Sequence, residues 1–343
     1  MIERKSIPVT IITGFLGSGK TTLLNHILNN QEGIKTAVLV NEFGEIGIDN
    51  ELIVETSEDT IELINGCICC SINGELLESV KTIIDSPKSI DYIIIETTGL
   101  ADPLPIAFTF LGSELRESTR LDSIITIVDA ENYNEELIDK DVSSSQIKYG
   151  DIILLNKCDL VDKLKLKRVE DHIHSIKKDS RIITTIKGNV SLPLILSVGL
   201  FESDKLNKSK IYFDSDHINC EHEHEHSHRK DKKSSELNHK NMDHSNDFDS
   251  YSFESNKPFS LRQYQKFLDE KLPSNIFRAK GILWFEESDK RHIFHLAGKR
   301  ISIEDSSWKG DKFNRLIFIG KDINKKGIND DLNDCITNPR LTH

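Results

Sequence analysis

The run Gly14-Phe15-Leu16-Gly17-Ser18-Gly19-Lys20-Thr21 constrains this chain more than any other stretch. It follows Ile7-Pro8-Val9-Thr10-Ile11-Ile12-Thr13, a short β-rich segment, and Thr21 to Asn29 then carries helical spacing. Strand, glycine-rich loop and helix in that order are the setting in which Gly-x4-Gly-Lys-Thr cradles phosphate. Glycines let the loop wrap so that backbone N–H groups point inward, and the helix N-terminus adds its positive end. Gly14, Gly17, Ser18, Gly19, Lys20, Thr21 and Thr22 are therefore expected around nucleotide phosphates. Lys20 should reach the β- and γ-phosphates, and the Thr21 hydroxyl should bind Mg²⁺. A glycine turn of no function is the bland alternative; strand, loop and helix all argue against it.

Further short runs rich in Ile and Val occur at Thr36 to Val40, Tyr92 to Ile95, Ile124 to Val128 and Ile152 to Leu155. Continuous apolar runs of this kind read as strands buried on both faces. Helical segments, for example Gly74 to Ile84 and Asp162 to Lys177, lie between several of them. The alternation predicts a doubly wound, mainly parallel α/β domain over residues 1–201. From Glu202 to Asn256 apolar residues are few, and that stretch reads as a disordered, His-rich linker. Order resumes near Pro258. A helix over Leu261 to Leu272 is expected, with strands at Phe277 to Phe285, Arg291 to Leu296 and Asn314 to Ile319 and a short helix at Asp330 to Cys335. Residues 257–343 thus read as a small α+β domain. At 343 residues, two domains are the natural expectation.

Two more segments bear on the nucleotide. Asn156-Lys157-Cys158-Asp159 follows the strand ending at Leu155. A carboxylate at Asp159 can accept from both guanine N1–H and N2–H₂, which adenine does not offer, so GTP is favoured, with Asn156 and Lys157 as further contacts. Asp159 could also cap a helix, and the two roles are compatible. In Asp91-Tyr92-Ile93-Ile94-Ile95-Glu96-Thr97-Thr98-Gly99 a hydrophobic strand delivers Glu96 to the sheet edge, where it can hold Mg²⁺ or its water. Gly99 leaves its N–H free to meet the γ-phosphate. Leu100, not a water-orienting Gln, comes next, so slow intrinsic turnover is expected.

Cys67-Ile68-Cys69-Cys70 places three thiolates within four residues. Soft sulfur suits Zn²⁺, Cu⁺ or iron–sulfur centres, and three ligands leave a fourth position open for transfer. Buried inert cysteines or a redox pair are the competing readings. Seven of the thirteen histidines fall between His217 and His244. There His222, His224, His226 and His228 alternate with glutamates and can hold Zn²⁺, Ni²⁺ or Co²⁺ loosely; a solvated linker without a ligand is the alternative.

A net charge of −12 disfavours nucleic acid. No apolar run reaches the roughly 18 residues a membrane helix needs. Met1-Ile2-Glu3-Arg4-Lys5 runs straight into a strand, leaving no room for a signal peptide, so a reducing, cytoplasmic setting is expected.

Together these segments make the chain resemble the CobW-like GTPases, kin of the nickel-delivering UreG and HypB proteins. The likeness is carried by Thr13 to Thr22, Asn41-Glu42-Phe43-Gly44-Glu45-Ile46-Gly47-Ile48-Asp49, Gly66-Cys67-Ile68-Cys69-Cys70, Glu96 to Pro103 and Asn156 to Asp159. Arg278-Ala279-Lys280-Gly281 and Leu316-Ile317-Phe318-Ile319-Gly320 resemble the family's small C-terminal domain. The resemblance implies a metallochaperone that uses GTP to load or release metal for a client metalloprotein. Zinc is the family's best general guess, with cobalt for cobalamin synthesis in some members. It implies that Asp49 contributes to the Mg²⁺ shell, beside Glu96 and Lys20 as catalytic groups, and that Glu42 joins the thiolates as a ligand. A nucleotide- or metal-dependent dimer is compatible with this reading. A passive metal buffer working through the His-rich linker, and a P-loop kinase, are the rival functions.

Overall fold

The computed structural model describes residues 6–30, 34–41, 60–65, 72–87, 89–112, 114–134, 142–197 and 249–337. Asp49, Glu42, Cys67, Cys69, Cys70, His222, His224, His226 and His228 lie outside the described residues.

The N-terminal part is built from β1 (Ile7–Gly14), α1 (Lys20–Asn30), β2 (Thr36–Asn41), β3 (Thr60–Asn65), α2 (Ile72–Asp85), β4 (Tyr92–Glu96), α3 (Pro103–Leu111) and β5 (Thr119–Asp129). Then come α4 (Val142–Tyr149), β6 (Ile152–Asn156), α5 (Lys163–Ile176), β7 (Ile182–Thr184) and α6 (Leu192–Ile195). The seven strands form one sheet in the order β3-β2-β4-β1-β5-β6-β7, and every pairing is parallel. Period-2 alternation sends Ile152 and Leu154 of β6 to one face, with Leu23, Leu24 and Ile27 of α1. It sends Ile153 and Leu155 to the other, with Ile147 of α4 and Val169 and Ile173 of α5. Helices α2 and α3 pack through Val80 and Phe110 on Val9 and Ile11 of β1. Both faces are covered, which is why the strands read as continuous apolar runs. None of the described helices is long and apolar enough to cross a membrane.

The C-terminal part comprises β8 (Asp249–Ser255), α7 (Leu261–Lys266), β9 (Ile276–Leu283), β10 (Arg291–Ala297), β11 (Arg300–Ser306), β12 (Asn314–Gly320) and α8 (Lys325–Asn333). Its antiparallel sheet runs β11-β10-β9-β12-β8. A core of Phe253, Phe259, Tyr264, Phe267, Phe294 and Phe318 fills the space between that sheet and its helices. Phe277 and Ile319 leave this core and join the one beneath α1 and α6, so the two sheets share buried surface.

Three expectations change. The linker does not extend to residue 256, because Asp249–Ser255 is a strand paired along its length with β12. Its apolar residues are few but alternate, Tyr251 and Phe253 facing the core, and polar neighbours hide the pattern. Strand β11 was missed for a similar reason: it is an edge strand whose Ile301 and Ile303 stay exposed. The last helix starts at Lys325 rather than Asp330, because the Asn324 side chain caps it by accepting from Gly327 N at 3.0 Å.

Candidate nucleotide site at the carboxyl edge of the parallel sheet

The phosphate loop leaves β1 beside β5, where Gly14 pairs with Ile127. Gly14 has φ +144°, and a Cβ there would sit 2.2 Å from the Ile127 carbonyl oxygen. Gly19 has φ +107°, and a Cβ there would sit 2.6 Å from Asn156 Nδ2. Backbone this close to its neighbours admits only glycine. Ser18 N donates to the Phe15 carbonyl at 3.2 Å, and Lys20 Nζ donates to the same oxygen at 3.3 Å. The ammonium is thereby folded over the loop. Ser18 Oγ is buried and meets no hydrogen-bond partner among the described residues, so the loop holds a donor suited to an oxygen of the ligand.

Strand β4 runs beside β1 with Glu96 opposite Ile12. Thr97 N donates to the Ile12 carbonyl at 2.9 Å, and Thr97 Oγ1 donates to Thr13 Oγ1 at 3.0 Å. That register brings Glu96, 3% exposed, to the first turn of α1, where Thr21 Oγ1 donates to Glu96 Oε1 at 2.8 Å. A hydroxyl and a carboxylate at the mouth of a phosphate loop are hard oxygen donors, and they fit Mg²⁺. Gly99 follows. Its Cβ, were there one, would lie 2.6 Å from Leu16 N, so this segment lies directly on the phosphate loop. Gln146 of α4 fixes it there: its Nε2 donates to the carbonyls of Gly99, at 3.2 Å, and Ala101, at 3.0 Å. A pocket opens alongside, lined in part by Phe15, Leu16, Val128, Tyr133 and Gln146.

Asn156 ends β6. Its Nδ2 donates to the Ser18 carbonyl at 2.9 Å, and its Oδ1 accepts from Thr185 Oγ1 at 3.1 Å and Gly188 N at 3.0 Å. The carbonyl end and one N–H of this amide are committed to protein, so Asn156 acts as a brace between the phosphate loop and the loop after β7. Lys157 adopts left-handed backbone, φ 60°. Its Nζ lies 2.7 Å from Asp129 Oδ2. Burial alone would raise the Asp129 carboxyl, but hydrogen bonds from Asn132 and Lys157 overcome it and hold the group below its ordinary range. Asp159 is exposed on a short 3-10 turn, Cys158–Leu160. A ligand base can reach it there.

Gly14, Gly17, Ser18, Gly19, Lys20, Thr21, Glu96, Gly99 and Asn156 are thus brought together. Thr22 is exposed on α1. Sequence reading missed Gln146, Thr185 and Gly188. Gly188, at φ +67° just past a short strand, was the available signal for the last of these loops.

A wholly parallel sheet, a phosphate loop at its first strand and a brace from an Asn-Lys-x-Asp loop define a P-loop nucleotide-binding protein. Residues 8–184 match the family described as CobW/HypB/UreG, nucleotide-binding domain, and residues 248–336 match the cobalamin synthesis protein cobW C-terminal domain. The chain belongs to this CobW family. It is 31% identical to the zinc chaperone YjiA of Escherichia coli K12, over 92% of this chain and 94% of that one. It is 30% identical to zinc-regulated GTPase metalloprotein activator 1 of Dictyostelium discoideum, over 97% of this chain and 80% of that one. Among solved structures, the Zn(II)-bound YjiA GTPase from E. coli aligns over 97% of this chain and 100% of its own, at 24% identity and a TM-score of 0.45.

Proposed function

We propose that the protein is a GTPase metallochaperone that hydrolyses GTP to GDP and phosphate and uses the nucleotide cycle to hold, then release, zinc for a client protein. Relatives named as a zinc chaperone and as a zinc-regulated GTPase metalloprotein activator, over most of their lengths, support this reading.

The observation that carries the coupling is the register of β2. Val40 lies opposite Glu96 of β4, and Asn41 lies opposite Asn65 of β3. Glu42 therefore follows β2 at the strand end beside Glu96, and Gly66-Cys67-Ile68-Cys69-Cys70 follows β3 at the strand end beside that. The zinc-ligand candidates and the carboxylate at the phosphate loop hang from three neighbouring strands.

When bound, Mg²⁺ supplies positive charge to the phosphates; Thr21, Glu96 and Asp49 are the residues to hold it. Lys20 adds charge where the γ-phosphate oxygens gain it. Gly99 presents its N–H to the same group. Asp159 selects guanine. If GTP and zinc favour one conformation, each raises the other's affinity by the same factor, and loss of the γ-phosphate frees the metal.

The test is a zinc titration with a non-hydrolysable GTP analogue, with GDP and without nucleotide. Affinity should be highest with the analogue, and Cys67, Cys69 and Cys70 changed together to Ser should abolish the tight site. Equal affinity in all three states would sink the coupling. Cobalt and nickel are the competing arms of the same titration. Deleting residues 217–244 separates the rival buffer function, since a delivery GTPase keeps nucleotide-coupled binding without the His-rich stretch. The cytoplasm, where thiols stay reduced, is the setting this reading requires.

A further inference from the structure

At the opposite edge of the parallel sheet, where the strands begin, lies a buried cation that no acid among the described residues pairs with. Arg181 immediately precedes β7 and is 5% exposed. Its Nε and one terminal nitrogen, Nη1, meet no acceptor among the described residues. A guanidinium carries five donors and keeps its charge, and burying it without a counter-charge is strongly unfavourable. Burial pushes its pKa down to about 10, and no nearby carboxylate opposes the shift.

The surroundings are cationic as well. Lys177, at the end of α5, donates to the Gly150 carbonyl. Burial pushes its ammonium below the ordinary value, and Arg300, Lys299 and Arg181 push the same way, with Asp151 opposing. Lys299 comes from the turn between β10 and β11 of the antiparallel sheet, and Arg300 opens β11. That turn is seated tightly: Gly298 has φ +57°, and a Cβ there would lie 2.0 Å from the Asp151 carbonyl oxygen. Carboxylates are present but engaged elsewhere. Asp151 Oδ2 accepts from Ile124 N at 2.9 Å and from Arg300 Nε at 2.6 Å. Asp179 Oδ2 lies 3.3 Å from Lys299 Nζ. In a chain of net charge −12, four basic side chains gathered around two occupied carboxylates make a local excess of positive charge.

We propose that Arg181, with Lys177 and Lys299 at its margin, binds a small oxyanion, phosphate or carboxylate, in the seam between the two sheets. The planar fork of Arg181 suits bidentate binding of such a group. Residue 181 lies two positions before Ile183, which packs in the core that also contains Phe277 and Ile319. A bound anion would therefore tie the nucleotide-binding sheet to the C-terminal sheet, remote from the phosphate loop.

The experiment uses the full chain with its nucleotide site saturated by a non-hydrolysable GTP analogue and Mg²⁺, so that the phosphate loop cannot answer. Thermal unfolding is followed in chloride at constant ionic strength while inorganic phosphate, or separately acetate, replaces chloride. The midpoint should rise saturably, on the order of 3 °C at ten times the dissociation constant. Arg181→Met should lose the rise, and in chloride alone it should be at least as stable as the unmodified protein. A larger response to phosphate identifies a phosphate site, and a larger response to acetate a carboxylate site. No response beyond chloride, or an equal response in Arg181→Met, overturns the proposal. Should Arg181→Met fail to fold, Arg181→Lys keeps the charge without the fork. A weakened response then supports the site, and an undiminished one overturns it.

Discussion

Arg278 Nη1 lies 2.8 Å from Asp122 Oδ2, and each side chain is 1% exposed. The pair joins β9 of the antiparallel sheet to β5 of the parallel one. Arg278 also donates to the carbonyls of Leu194 and Ile195 and to Ser123 and Ser197. Tyr92 Oη donates to Asp122 Oδ2 at 2.6 Å, so the carboxylate is enclosed by donors from both parts of the chain.

Removing one member of such a pair leaves the other charged and buried. Arg278→Met should cost about 3–5 kcal/mol of stability, measured by urea unfolding. Asp122→Asn should cost a comparable amount. The double variant should lose much less than the sum, because the stranded charge is gone. Additive losses would show that the contact contributes nothing as a pair.

Asp122 also sets a pH dependence. Burial alone would raise its carboxyl, but Arg278 and then Arg120, with hydrogen bonds from Ser197 and Tyr92, hold it well below the ordinary value of 3.8. A depressed folded-state pKa means that the unfolded chain binds the proton first. The stabilisation is therefore complete above about pH 5 and is lost as pH falls through 4 toward the folded value. Acid unfolding followed by circular dichroism should be steep below pH 4, and Asp122→Asn should flatten that limb.

The brace at Asn156 gives a prediction about ligand affinity. Asn156→Ala strands the Ser18 carbonyl and the Gly188 N–H. GTP binding should weaken by about 2–3 kcal/mol, roughly 30- to 150-fold. Thr185→Val removes only one bond to the same amide and should cost about 1 kcal/mol, roughly fivefold. Fluorescent-nucleotide titration measures both. An Asn156→Ala protein with unchanged affinity would mean that the phosphate loop keeps its shape without the brace.

Base selection rests on Asp159. Asp159→Asn should weaken GTP by about 2–4 kcal/mol, roughly 30- to 1,000-fold, and favour xanthine nucleotides. Competition of ATP with GTP for the unmodified protein checks the same assignment, since equal affinity contradicts it.

How far the sequence speaks depends on whether local signals agree. Ile7–Gly14, the phosphate loop and α1 were legible because strand pattern, glycine spacing and helical period coincide over one continuous stretch. Strand β8 was not, since two alternating aromatic residues in a polar run resemble linker until β12 pairs with them. Asn156 was legible as a site residue, but its partners within the protein were not. Its contact with Ser18 spans 138 positions and exists only after β6 and β1 share a sheet. Arg278 marked a family likeness in the sequence, yet its partner Asp122 is 156 positions away. Long-range pairings of this kind leave no local periodicity to read.

The contact of Gly99 with the phosphate loop separates hydrolysis from binding. A methyl group at residue 99 would meet Leu16 N at 2.6 Å, a backbone atom that cannot rotate aside. Gly99→Ala must displace the segment after β4, so GTP hydrolysis should fall tenfold or more, about 1.4 kcal/mol of barrier. GDP affinity should stay within about twofold, because this segment faces the γ-phosphate. Gln146→Leu approaches the same segment from the other side. It keeps the side-chain volume but leaves the Gly99 and Ala101 carbonyls without their donor, an effect of about 1–3 kcal/mol on the local structure. Single-turnover hydrolysis should slow in this variant too, with Mg²⁺ and nucleotide saturating. A Gln146→Leu protein that unfolds more readily in urea yet turns over at the normal rate would assign this amide to stability alone. The contact of Gly99 with the γ-phosphate would then tolerate the loss of its support from α4.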